Sequence, residues 1–173
     1  MNYQLEQYKE AYEAFKNAET GDPIPNELAY AYAKAAFHQD QFAKVLTLLG
    51  GSDEQDAPRM KTIAHFNLKQ YENAFTMAQK ANRDHEISRI GGLSAYHSGN
   101  YSAAISWLEE AEPDKEIMTA LAKSAMAEKD NGRAEQYLTW LISTGFDQAE
   151  YFVKRAEIRL PEDRNAAISD LEE

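Results

Sequence analysis

The chain has 173 residues, 43% of them hydrophobic, and carries 29 acidic against 18 basic side chains for a formal net charge of -11. That balance argues against nucleic acid as a partner, since phosphate binding needs clustered Lys and Arg, and it disfavours anionic membranes. Without cysteine there are no disulfides, thiolate metal sites or cysteine nucleophiles, and a cytoplasmic or a periplasmic location is compatible with that.

Abundant Ala, Glu, Gln, Lys and Leu predict helix throughout and no sheet. The first helix, over 3–18, places Tyr8, Ala11, Phe15 and Ala18 on one face, with Pro23 in the turn Gly21-Asp22-Pro23. The opening MNYQLEQYKEAYEAF lacks the basic segment and apolar run of a signal peptide, and it begins inside a repeat. Helix 26–38 follows, with Ala33 at its centre. Its apolar stretch from Leu28 to Ala33 falls far short of the roughly 20 residues needed to span a bilayer.

Helix 41–49 repeats the first pattern as Phe42, Val45 and Leu49, and Gly50-Gly51-Ser52-Asp53 closes it. Helix 56–68 has Thr62 in the place of Ala33. Helix 71–82 reads Tyr71, Ala74, Ala78, Ala81, and 86–98 centres on Gly92. After Gly99-Asn100, helix 101–111 reads Tyr101, Ala104, Leu108, Ala111, and 115–128 centres on Ala122. Asp130-Asn131-Gly132 opens helix 131–143, with Ala134 and Leu138. Helix 148–160 centres on Ala156, and Pro161, Glu162 and Asp163 start helix 162–172, with Ala167 and Leu171.

Every second helix carries one central small residue: Ala11, Val45, Ala74, Ala104, Ala134, Ala167, at steps of 34, 29, 30, 30 and 33. A period in that range means stacked units that cannot bury their apolar faces alone. The first helices carry a matching column: Ala33, Thr62, Gly92, Ala122, Ala156. Small side chains on both helices of a pair permit close approach, so the two columns are expected to meet. Close packing also accounts for Gly91-Gly92 inside a helix, since no strand precedes it as a phosphate loop requires.

These columns resemble the tetratricopeptide repeat family from Tyr8 to Leu171; YKEAYEAFKNAETGDP and GNYSAAISWLEEAEPD look like its second helix and turn. The resemblance implies an all-α fold, a right-handed α-α superhelix (solenoid) of about five stacked helix-turn-helix repeats. The whole of 1–173 then reads as a single array: a second helix over 1–25, repeats at about 26–54, 55–84, 85–114 and 115–147, and a truncated last repeat over 148–173. The chain is expected to be a segment of a longer array, with weak end-to-end self-association. From each second-helix small residue to the next first-helix one is 22 residues at the first and fourth junctions but 17 or 18 at the middle three. The middle second helices or their turns are therefore short by about one helical turn.

The resemblance further implies binding of a protein or peptide partner in a groove lined by the first helices. Three columns recur at the repeat step: Tyr30, Arg59, Arg89, Thr119; Lys34, Ile63, Leu93, Lys123; and Phe37, Phe66, Tyr96, Met126, with His38 and His97 beside the third. Cations among rings on an acidic protein point to an acidic peptide with hydrophobic anchors, held by Tyr30, Lys34, Phe37, His38, Arg59, Phe66, Arg89, Tyr96, His97 and Lys123. The competing expectation is that the rings are inter-repeat core and the cations are neutralised by acids such as Glu27, Asp56, Glu86 and Glu116. Family members that grip the acidic tails of heat-shock chaperones use Lys, Asn and Arg together; Tyr30, Lys34, Arg59 and Arg89 lack the asparagines of that clamp.

No catalytic residue, metal or cofactor is expected. His65 is expected on a packed face, and His38 and His97 stand two repeats apart, too far to share a metal bond of about 2 Å. Ser52-Asp53-Glu54-Gln55-Asp56 lacks the ligand spacing of a calcium loop. Glu109-Glu110 and Glu172-Glu173 are adjacent, so on a helix they point about 100° apart and form no acid/base pair. Two readings follow: a non-enzymatic interaction module, or a regulatory or peptide-sensing segment of a larger protein with an enzymatic or DNA-binding domain.

Overall fold

The structure is a computed structural model describing residues 2–19, 24–146 and 149–172; the expected turn Gly21-Asp22-Pro23, Met1, Gln148 and Glu173 lie outside the described residues. Among the described residues there are eleven helices and no strand. They divide into two compact units, residues 1–83 and 84–173.

The first unit holds α1 (Asn2–Ala18), α2 (Asn26–Phe37), α3 (Phe42–Leu48), α4 (Ala57–Asn67) and α5 (Tyr71–Ala78). Helices α2 with α3 and α4 with α5 form hairpins, α1 packs on α2, and α3 packs on α4. Ala33, Ala36, Val45, Leu49, Ala57, Met60 and Ala64 form its core, with Tyr12, Tyr30, Phe37 and Phe42 packed around them. Glu19, just past α1, ties three helices: it pairs with Lys44 of α3 and accepts a hydrogen bond from Tyr32 of α2 at 3.1 Å. The Lys44 contact holds the Glu19 carboxyl below its usual range, and burial together with Glu19 pushes the Tyr32 hydroxyl up to about 12.

The second unit holds α6 (His85–His97), α7 (Tyr101–Leu108), α8 (Lys115–Ala127), α9 (Asn131–Ser143), α10 (Ala149–Arg159) and α11 (Arg164–Glu172). Its hairpins are α6 with α7, α8 with α9 and α10 with α11, and successive hairpins stack through α7 on α8 and α9 on α10. Aspartates start the first helices: Asp84 and Asp114 accept from the backbone N–H of Ile87 and Ile117, each at 2.8 Å.

Four hairpin turns share one construction. The residue after each first helix's last turn lies at positive φ: Asp40 at 55°, Lys69 at 57°, Gly99 at 81° and Lys129 at 61°. The next N–H then reaches back to a helix carbonyl, as from Asn100 to Ala95 at 2.8 Å and from Asp130 to Ala125 at 2.9 Å. This satisfies carbonyls that a helix end otherwise leaves unpaired. Only one of the four positions is glycine, which is why the sequence flags one of these turns more clearly than the others.

The helices match the predicted ones to within a few residues. The short middle junctions correspond to short second helices, of seven residues in α3 and eight in α5 and α7, against 13 in α9. Helices α5 and α7 stop before the predicted 82 and 111 because the chain tightens there. The Ala81 N–H is shared between the Met77 and Ala78 carbonyls, and Ala111 donates to Leu108.

Both small columns are buried except at Ala11, which is half-buried. At Gly92 the nearest neighbour on the paired helix is not the small residue Ala104 but Leu108. A Cβ on Gly92 would sit 2.6 Å from Cγ and Cδ2 of Leu108 and 3.0 Å from its backbone nitrogen, so Gly92 meets Leu108, one turn beyond Ala104. Because the Leu108 backbone comes almost as close as its side chain, the two helices approach nearly backbone to backbone there, which only a residue without a Cβ allows.

The last hairpin has a polar interior. Asp170, 4% exposed, accepts two hydrogen bonds from Arg155, at 2.6 and 3.1 Å, and two from Arg159, both at 3.1 Å. Arg155 also reaches Thr139 at 3.1 Å and Arg159 reaches Glu135 at 2.7 Å, which binds α9, α10 and α11 together.

Gly92→Ala is expected to destabilise the protein by about 1–3 kcal/mol through overpacking, although Ala is the better helix former by roughly 1 kcal/mol. Gly132→Ala, whose added Cβ would have its nearest neighbour at 3.7 Å, should be neutral or mildly stabilising. Urea unfolding of the two variants checks that order. Asp170→Ala strands two guanidinium groups and is expected to cost about 3–5 kcal/mol; a thermal melt matching wild type would show the cluster to be energetically idle.

Candidate functional site

In the first unit, α2 presents Tyr30, Lys34 and Phe37 at helical spacing, and His38 follows at its C-cap. The Lys34 ammonium lies 5.5 Å from the Tyr30 ring centroid. Burial, reinforced by the Asp56 and Glu54 carboxylates, holds the Tyr30 hydroxyl above its usual range. His38 stacks on Tyr8 with ring centroids 3.8 Å apart. Burial and the nearby Lys34 charge hold its imidazole below the ordinary value. Phe37 packs edge-on against Phe42 at 6.1 Å and Phe66 against Tyr71 at 5.8 Å, so each ring also braces its own hairpin. Arg59 is half-buried on α4. His65 is only half-buried, and its Nδ1 meets Gln70 Oε1 at 2.7 Å. It therefore braces the α4–α5 turn instead of filling the core.

In the second unit the first helices α6, α8 and α10 form a face. An open cavity of about 410 Å³ lies on it, lined by Leu93, Tyr96 and His97 of α6, Lys115, Glu116, Thr119 and Ala120 of α8, and Tyr151 of α10. The Tyr151 and Thr119 hydroxyls are 3.2 Å apart. Lys123 is exposed farther along α8, and Met126 is half-buried beyond it. Arg89 of α6 is bound by two acids of the next hairpin: its guanidinium reaches Asp114 at 3.2 Å and pairs with Glu116. Its charge is thus largely offset, as the competing expectation had it, but by acids of the following repeat.

Of the ten residues singled out from sequence, Tyr96 and His97 line this cavity and Lys123 stands near it, while Arg89 contributes through Glu116. The other six belong to the first unit. Leu93 and Thr119, from the same sequence columns, line the cavity too. Tyr151 and Lys115 escaped notice. Tyr151 stands five residues before Ala156, the place Ile87 and Ile117 hold before Gly92 and Ala122. A tyrosine at an otherwise aliphatic core position was the signal available. The columns continue into α10 as Val153, Glu157 and Leu160, all exposed.

Among the described residues, no group of three or more His, Asp or Glu side chains is placed to hold a metal ion, and no helix is long and apolar enough to cross a membrane. Several solved structures resemble the chain, among them the following two. The MamA RS-1 ArsTM double mutant gives a TM-score of 0.61 at 14% identity, over 85% of this chain and 90% of that one. A tetratricopeptide repeat protein from Parabacteroides merdae ATCC 43184 gives 0.54 at 18% identity, over 99% of this chain and 72% of that one. No protein-family model and no curated protein matches the sequence. The fold is a tetratricopeptide-like, all-α helical repeat.

Proposed function

We propose that this protein is a non-enzymatic interaction module that holds a segment of a partner protein on the first-helix faces of its repeats. The observation that supports this most is the open cavity across α6, α8 and α10, walled by Leu93, Tyr96, Ala120 and Tyr151 and edged by lysine. Large amphipathic side chains around an open apolar floor suit a peptide better than a small molecule, which is normally enclosed on most of its surface. In the first unit Tyr30, Lys34, Phe37, His38, Arg59 and Phe66 form the corresponding candidate surface. A fold of this kind serves many functions, so the reading rests on the face and not on the architecture.

A peptide selected from a random display library against the whole chain is expected to lose about tenfold or more in affinity when Tyr96→Ala is introduced in a folded variant, as for a truncated anchor. Selected peptides that bind Tyr96→Ala and wild type alike would move recognition off this face.

We further propose weak end-to-end association. The last hairpin leaves four large apolar side chains exposed, Val153, Leu160, Ile168 and Leu171, the last two at 43% and 62%, and exposed apolar surface favours contact with another molecule. Sedimentation velocity should show an average mass rising with concentration, and Leu160→Lys with Leu171→Lys should abolish that rise.

A further inference from the structure

A second, smaller cavity of about 60 Å³ lies beside the first on the same unit, lined by Thr119, Ala122, Lys123, Met126, Leu138, Glu150, Tyr151 and Lys154. Its floor is apolar: Ala122 and Leu138 are each 2% exposed. Thr119 and Tyr151 line both cavities, and their hydroxyls are in contact at 3.2 Å. The tyrosine ring, buried and joined to Thr119 by that hydroxyl contact, stands between a wide trough and a smaller, narrower apolar pocket.

The surroundings add a charge argument. Residues 84–173 contain eighteen Asp and Glu against nine Lys and Arg. Even so, Lys115 and Lys123, which edge the two cavities on α8, have no ion-pair partner among the described residues; Lys115 lies 5.4 Å from the Phe146 ring centroid. By contrast Lys154 is held by Glu157 at 2.8 Å, and Arg89 by Asp114 and Glu116. Two ammonium groups with no ion-pair partner among the described residues, beside apolar floors in a strongly acidic unit, match a partner that brings both a carboxylate and an aliphatic side chain. Glu150 shares the small cavity's rim and would repel a carboxylate there, so the partner's acid belongs on the α8 side, with Lys123.

We propose that the α8–α10 cavity is the anchor pocket for an aliphatic side chain of an acidic peptide, opened when Tyr151 releases Thr119, with Lys123 receiving the flanking carboxylate. The anchor joins the two cavities, and Tyr151 then packs against the bound chain. Nothing in this step is covalent. It rests on the reading that this face binds peptides, and adds the chemistry of what is bound and the residue that moves.

The test is fluorescence anisotropy on the whole chain with labelled peptides of alternating Asp and Glu around one central residue, either Leu or Ala, and a control with Lys flanks around Leu. The acidic Leu peptide should bind at least about tenfold tighter than its Ala counterpart, the order expected for burying an aliphatic side chain. Lys123→Glu should weaken both acidic peptides about equally. Thr119→Val, which removes the latch, should tighten the Leu peptide and leave the Ala peptide unchanged. Leu138→Phe fills the pocket from its floor and should erase the Leu preference; if circular dichroism shows that variant unfolded, Met126→Phe fills it from the mouth. Equal affinity for the Leu and Ala peptides, or a preference that survives filling, overturns the anchor pocket. Tighter binding of the Lys-flanked control overturns the acidic partner. Failure of every peptide to bind overturns the proposal outright, whereas failure of the display selection at Tyr96 overturns the broader peptide reading separately.

Discussion

Everything in this protein depends on how closely the two helices of each hairpin approach. The small residue central to each first helix is buried, and so is its counterpart on the second helix. At Gly92 no Cβ fits without moving Leu108. Close approach turns short helices of seven or eight residues, marginal in isolation, into stable elements, because each is packed along its hairpin partner, and α3 and α7 also pack on the hairpin that follows. It also sets what the rest of the surface does. With small residues central to each first helix, some of its large side chains fill the core, as Tyr32, Ile87 and Leu93 do, while others such as Tyr30 and Tyr96 stay partly exposed.

The last hairpin departs from that economy. Three residues after its small residue, Ala167, comes Asp170, where the earlier second helices carry Leu48, Met77, Trp107 and Tyr137. Arg155 and Arg159 occupy the places of Leu121 and Ala125 in the hairpin before. The result is a carboxylate buried between two guanidinium groups, each of which also reaches α9. A buried ion pair seldom stabilises more than well-packed apolar side chains do, because both charges lose their hydration. What such a network supplies is direction: the four hydrogen bonds on Asp170 are satisfied in one arrangement of α9, α10 and α11, while an apolar contact tolerates sliding.

The architecture was legible because helical spacing and a thirty-residue period are properties of the sequence itself. Small columns, helix limits and the short middle helices could all be read from residues such as Ala74, Ala104 and the 17- and 18-residue junctions. The Gly92–Leu108 contact could not, because which turn of α7 lies against Gly92 is set by how the two helices cross and not by the repeat period. The partnership of Arg89 with Asp114 and Glu116 was hidden for a related reason: these residues are 25 and 27 positions apart, and only the stacking of one hairpin on the next brings them together. Tyr151 was hidden by its own position, which the repeat pattern marks as core. Only contact with Thr119 across two helices gives its hydroxyl a role.

Counting charges by column therefore misjudges where the electrostatic attraction lies. From sequence, Arg89 and Lys123 look alike, two cations on first-helix faces one repeat apart. In the folded unit Arg89 is paired with the hairpin that follows it, whereas Lys123 has no ion-pair partner among the described residues, although Glu150 of α10 lines the same small cavity. An exposed lysine without a partner contributes little to folding stability. In an acid-rich unit its charge is the local exception that an incoming carboxylate would find, and its neighbours Ala122, Met126 and Leu138 supply the apolar contact that a charge alone cannot. The same stacking that buries the small columns decides which cations are neutralised within the fold and which are left facing a partner.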